Sequence, residues 1–182
     1  MDTVLVVCTA NICRSPLMEA LLRRDLDPAR FQVESSGTLA RRGHPVDSMV
    51  RLEMARLGVD PSGLVSKPLL ESQVTAASLV LTATKDHRSA ILQREPLALH
   101  RTFTLLELAA LVRAGVGEGA PDLATLGAEA ARRRSAAGSA IDVPDPIGRP
   151  PQVHRRVADL IVEATTTVAG ALNAVESSRA RP

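Results

Sequence analysis

The sequence predicts an α/β fold: a three-layer α/β/α sandwich built on a four-stranded parallel sheet. Three observations carry this. Aliphatic, strand-like runs recur at residues 4–7, 31–38, 78–82 and 99–105. Between them lie segments whose apolar residues fall at helical spacing, and such alternation argues a parallel sheet with helices on both faces. Finally, 182 residues with 45% hydrophobic and 23% charged side chains suit one domain with a proper core, here residues 1–176 followed by a frayed polar tail, 177–182.

The elements follow in order. Val4-Leu5-Val6-Val7 reads as an enclosed strand, since branched aliphatic side chains favour that position. Leu17, Ala20 and Leu21 mark a helix over residues 16–24, with Pro16 in its first turn and Ser15 as its cap. Phe31 to Gly37 alternates and then turns. Val46, Met49, Val50, Met54 and Leu57 predict a helix over 45–57, closed by Gly58. The third strand, 78–82, precedes a helix over 84–93; the fourth, 99–105, precedes another over 106–114. Gly115 to Pro121 is a loop. Residues 121–134 form a further helix whose terminal Arg132-Arg133-Arg134 reads as a solvated charged end. Val153, Val157, Leu160, Ile161, Ala164, Val168 and Leu172 stripe a last helix over 151–175.

Composition excludes several classes. A net charge of +2 suggests no nucleic-acid partner, and no apolar run approaches membrane-spanning length. The N-terminus enters a strand without a charged leader, so no signal peptide is expected. Two cysteines five positions apart make no disulfide framework, which fits a reducing cytoplasm, and four scattered histidines make no metal cluster.

The chemistry concentrates at Cys8-Thr9-Ala10-Asn11-Ile12-Cys13-Arg14-Ser15-Pro16. A loop between a strand and a helix N-terminus aims backbone N–H groups at one point, at the positive end of the helix dipole. Thr9, Ala10, Asn11, Ile12, Cys13 and Arg14 would form this phosphate cup, Arg14 adding a fork for two oxygens. The same field favours the thiolate of Cys8 on its floor, a nucleophile. A second chemical element is Asp142-Val143-Pro144-Asp145-Pro146-Ile147-Gly148. Prolines stiffen this loop and hold Asp145, as a general acid within reach of a leaving oxygen must be held.

These segments resemble the low-molecular-weight protein tyrosine phosphatases, whose loop is close to Cys-x-Gly-Asn-x-Cys-Arg-Ser-Pro. Cys8, Asn11, Cys13, Arg14, Ser15 and Pro16 match it. The resemblance implies that Cys8 attacks phosphorus, that Asp145 protonates the leaving oxygen and then activates water on the phosphocysteine, and that Arg14 and the loop N–H groups stabilise the phosphoryl oxygens without a metal or cofactor. Ser15 would hydrogen-bond the sulfur, and Ser35, in a Ser-Ser-Gly-Thr run, would steady Asn11. The substrate would be a phosphorylated protein, foremost phosphotyrosine, or a small phosphomonoester.

Departures from the pattern keep alternatives open. Ala10 stands where the family usually has Gly, and left-handed backbone there would cost about 1–2 kcal/mol. Aromatics are reduced to Phe31 and Phe103, so a ring-binding wall is scarce. A non-catalytic phosphate-binding module is one rival. Related arginine phosphatases carry Thr where this chain has Ile12, which offers a substrate no hydrogen bond. Arsenate reduction on this fold relays through later cysteines, and none follows Cys13. Asp86, His87 and His44 are expected in surface or cap roles, and Asp142 only adds polarity to its loop.

Overall fold

Strand β1 (Asp2–Cys8) forms the spine of the fold, and its four aliphatic residues Val4 to Val7 are fully buried. The structure is a computed structural model and describes residues 1–139 and 141–175. β1 pairs in parallel with β2 (Phe31–Gly37) on one side and β3 (Leu79–Thr82) on the other, and β3 pairs in parallel with β4 (Thr102–Thr104). The order β2-β1-β3-β4 leaves connections from β1 running to opposite sides. Ligands of such sheets bind outside the carboxyl ends of the strands at that divergence, where Val7 is in register with Thr82 and Cys8 with Gly37.

Both faces of the sheet are covered, which explains why β1 is apolar without interruption. Val4, Val6 and Cys8 face the larger core, filled by helices α1 (Arg14–Asp25), α2 (Ser48–Arg56), α5 (Leu105–Arg113), α6 (Leu123–Arg132) and α7 (Pro151–Ala174). Leu5 and Val7 point the other way, toward Val74 of α3 (Glu71–Ala76) and Ile91 of α4 (Lys85–Arg94). Three layers result. Among the described residues no helix is long and apolar enough to cross a membrane. The expected tail at 177–182 lies outside the described residues.

Several expectations need correction. Helix α1 begins at Arg14, with Cys13 in the capping position and no side-chain cap, so Ser15 is not its cap. α2 begins only at Ser48, because the Asp47 carboxylate accepts from the N–H groups of Met49 and Val50 at 3.0 and 3.3 Å. β4 is three residues long: residues 96–101 form a 3₁₀ turn opened by Pro96, and a capping box of Thr104 and Glu107 starts α5 at once. Helix α3 went unforeseen, being six residues long and too short for a periodic pattern. The basic end of α6 is not free either. Arg134 lies over the Phe103 ring at 4.5 Å and pairs with Glu107 at 3.1 Å, so its stem and charge are both used.

Candidate active site

Cys8 ends β1 with only 2% of its surface exposed, and the chain then loops over it before entering α1. No main-chain carbonyl among the described residues takes the N–H groups of residues 9 to 13. Lying just before the N-terminus of the twelve-residue α1, these unpaired donors suit an anion. The loop carbonyls are tied outward instead: Cys8 accepts from Thr38 N, Thr9 from Leu39 N, and Ile12 from Asp47 N, each at 2.9 Å.

Asn11 holds the loop's shape. It is the one non-glycine residue with positive φ among those described, at 53°, a region that Asn tolerates better than most. The left-handed position is therefore Asn11 and not Ala10, so Ala10 carries no such strain. The Asn11 amide donates to Ser15 Oγ at 2.9 Å and to Ser35 Oγ at 2.8 Å, and its carbonyl accepts from Lys67 N at 2.8 Å. Ser35 donates onward to the buried Glu19, which pairs with Arg23. Behind the loop, Gly37 is required by space: a Cβ there would meet Thr9 O at 2.5 Å and Asn11 N at 2.9 Å.

Ser15 Oγ lies 3.0 Å from Cys8 Sγ. Asn11 already donates to this oxygen, so the Ser15 proton can go to the sulfur or, over a longer 3.5 Å, to the Ser36 carbonyl. Cys13 differs. Burial, then the charges of Cys8 and Asp145, push its thiol far above the ordinary range, so it stays protonated and inert.

Arg14 is buried, yet its Nε–H has no partner among the described residues. Nη1 donates to Val143 O at 3.3 Å, and Nη2 donates to Thr9 Oγ1 at 3.3 Å and to Asp145 Oδ2 at 2.6 Å. The last contact brings the two sequence elements together across 131 positions. The Asp145 side chain is 49% exposed, and its other oxygen accepts from Ile147 N at 3.1 Å. The acid loop is fastened upstream: Val143 N donates to Ala83 O at 2.8 Å, and Asp142 Oδ1 accepts from Lys85 N at 2.8 Å. Asp142 thus clamps the loop onto the first turn of α4, a role beyond the general polarity expected of it.

His87 is a second residue whose place differs from expectation. It is buried at the site, its ring between Thr9 Oγ1 and Thr84 Oγ1 at 2.8 and 2.7 Å. Burial, then the Arg14 charge, lowers its pKa below the ordinary imidazole value. A polar residue beside a Thr cap was the available signal. Its spacing from Cys8 revealed nothing, because the sheet brings them together. Phe31 and Phe103, by contrast, are both buried in the main core, so neither forms a wall at the site.

A family model for the low molecular weight phosphotyrosine protein phosphatases matches residues 3–115. The low molecular weight protein-tyrosine-phosphatase Ptp of Acinetobacter johnsonii is 34% identical over 102 residues, 56% of this chain and 70% of that one. A protein-arginine-phosphatase of Geobacillus stearothermophilus is 28% identical over 156 residues, 86% of each chain. A solved structure of the YwlE arginine phosphatase from Geobacillus stearothermophilus superposes with a TM-score of 0.74 at 26% identity, covering 94% of this chain and 93% of that one. With the match spanning all four strands of the sheet and the anion loop, the chain belongs to the low molecular weight phosphotyrosine protein phosphatase family, enzymes that hydrolyse phosphate from their substrates.

Proposed function

We propose that the chain is a cytoplasmic protein-tyrosine phosphatase acting through a phosphocysteine on Cys8. The observation that carries the chemistry is one strand–helix joint that has a buried sulfur touched by Ser15 at its start and, at its end, Arg14 paired with Asp145. The Cys8 thiolate attacks phosphorus in line, and the bond to the leaving oxygen breaks as that oxygen takes the Asp145 proton. The free Arg14 Nε–H and an Nη N–H bind two phosphoryl oxygens, and the loop N–H groups meet the rest. Asp145, now a carboxylate, takes a proton from water. The hydroxide formed attacks phosphorus, and sulfur departs as a thiolate stabilised by Ser15. These steps call on no metal or cofactor. A reducing cytoplasm suits them because the nucleophile must stay a thiol, and both cysteines are free. Residues 1–176 act as one phosphatase domain, a reading supported by a main core that runs from Val4 to Val175.

Substrate preference turns on Ile12, whose apolar side chain is partly exposed at the loop. A flat aryl group tolerates that surface, whereas a phosphoguanidine loses hydrogen-bond partners, at roughly 1–3 kcal/mol or 5- to 150-fold. Phosphoarginine is the second reading, favoured by the long match to an arginine phosphatase. The test is kcat/KM for phosphotyrosine and phosphoarginine peptides with the wild-type chain and Ile12→Thr. Faster turnover of phosphotyrosine by the wild type, with the ratio narrowed by Ile12→Thr, supports the proposal. A wild-type preference for phosphoarginine overturns it.

A further inference from the structure

We propose that His87 is a positioning residue for the phosphate-binding guanidinium, acting on Arg14 through the Thr9 hydroxyl. The inference rests on the phosphatase reading above and assigns a new part to it.

The geometry starts from the sheet. β3 lies beside β1, so the first turn of α4 meets the anion loop. Thr84 caps that helix, with His87 N donating to its Oγ1 at 3.4 Å and the ring Nδ1 lying 2.7 Å from the same oxygen. This fixes the ring plane and turns Nε2 to Thr9 Oγ1 at 2.8 Å. Thr9 Oγ1 also faces Arg14 Nη2 at 3.3 Å. A guanidinium can only donate, so the Thr9 oxygen accepts from Arg14 and has its own proton to give to Nε2. Nε2 then serves as acceptor, and Nδ1–H donates to Thr84. Each atom has one consistent role.

The arrangement matters because of what shares Nη2. One of its N–H groups goes to Thr9 and the other to Asp145, at 2.6 Å. To protonate a leaving group, Asp145 must be a neutral acid turned to that oxygen, and in that state it no longer holds Arg14 as an ion pair. The Thr9 hydroxyl, oriented by His87, then keeps the inner edge of the fork in place while the outer edge meets phosphate. His87 never touches the phosphoryl group.

The test uses the geometry of amides. A Gln side chain presents its amide near the position of Nε2, and an Asn side chain near that of Nδ1. Phosphate release from an aryl phosphate, with inhibition by inorganic phosphate and thermal midpoints, is measured for wild type, His87→Gln, His87→Asn, Thr9→Val and the Thr9→Val/His87→Asn double variant. The expectation is that His87→Asn lowers kcat/KM and phosphate affinity by roughly 2- to 12-fold, the worth of one hydrogen bond. His87→Gln recovers most of this, and His87→Asn adds nothing on top of Thr9→Val. Equal losses for Gln and Asn, additive losses in the double variant, or losses that follow the thermal midpoint would overturn the proposal. A wild-type chain that releases no phosphate would sink the phosphatase reading instead, and phosphate affinity across the same variants then decides the role of His87.

Discussion

The two loops that build the site are held in opposite ways. The loop from Cys8 to Arg14 is largely enclosed and tied at many points: Asn11 to Ser15, Ser35 and Lys67, its carbonyls to Thr38, Leu39 and Asp47, its back pressed on Gly37. The loop from Asp142 to Gly148 is anchored at its upstream end, while Asp145 stands half in solvent. The difference follows from the tasks. Stabilising a doubly charged group needs dipoles fixed beforehand, because their reorganisation would raise the barrier. A group that donates a proton and then takes one back must turn between two partners, and that favours an exposed side chain on a stiff base.

Breaking the fixed half has the largest expected effect. Cys8→Ser replaces a thiolate by a hydroxyl that stays protonated, so turnover falls on the order of 10⁴-fold or more, read as phosphate release. Asp145→Asn tests the exposed half. It slows alkyl phosphates by about 10²–10⁴-fold and nitrophenyl phosphate far less, since nitrophenolate leaves without a proton. Equal slowing of both would mean that Asp145 acts only by holding Arg14.

Gly37→Ala sharpens the comparison from behind. Its Cβ has nowhere to go beside Thr9 O and Asn11 N, so stability falls by about 1–3 kcal/mol in denaturant titration, with weaker phosphate binding. Asp142→Ala, at the other loop, removes one clamp on α4 and changes stability by about 1 kcal/mol. A larger loss there than at Gly37 would reverse the ranking of the two loops.

The smallest effect concerns pH. His87 is held neutral by burial and the Arg14 charge, against the pull of Asp86, Asp145 and Asp142. Its folded pKa lies below the unfolded value, so the unfolded chain binds the extra proton first. Stability is unaffected well above pH 6.5 and declines as pH falls through that value toward the folded pKa. His87→Gln removes this part of the slope, as melts across the acidic range would record.

The same contrast governs what could be read beforehand. The anion loop is contiguous, and a strand, a short loop and Ser-Pro entering a helix carry their meaning in neighbouring residues. The parallel sheet and the α7 stripe are legible for the same reason, as local periodicity under a strong topological rule, whereas the strand order is not. His87, Lys67 and Asp142 were not legible as parts of the site, because parallel pairing of β1 with β3 and a distant loop deliver them. Ser15 illustrates the limit of local rules: before Pro16 it looks like a cap, but its hydroxyl is drawn to Sγ and Asn11 instead. Arg134 likewise reads as a solvated end until Phe103 and Glu107 are seen beneath it.

The most direct test of a fixed cup with an exposed acid is to trap the phosphoryl group. Asp145→Asn leaves the cup intact but cannot activate water, so rapid acid quenching during turnover of nitrophenyl phosphate should leave phosphate on sulfur. Peptide mass mapping is expected to find it on Cys8 alone. Turnover by this variant with no phosphopeptide, or with phosphate on any other residue, would contradict the account.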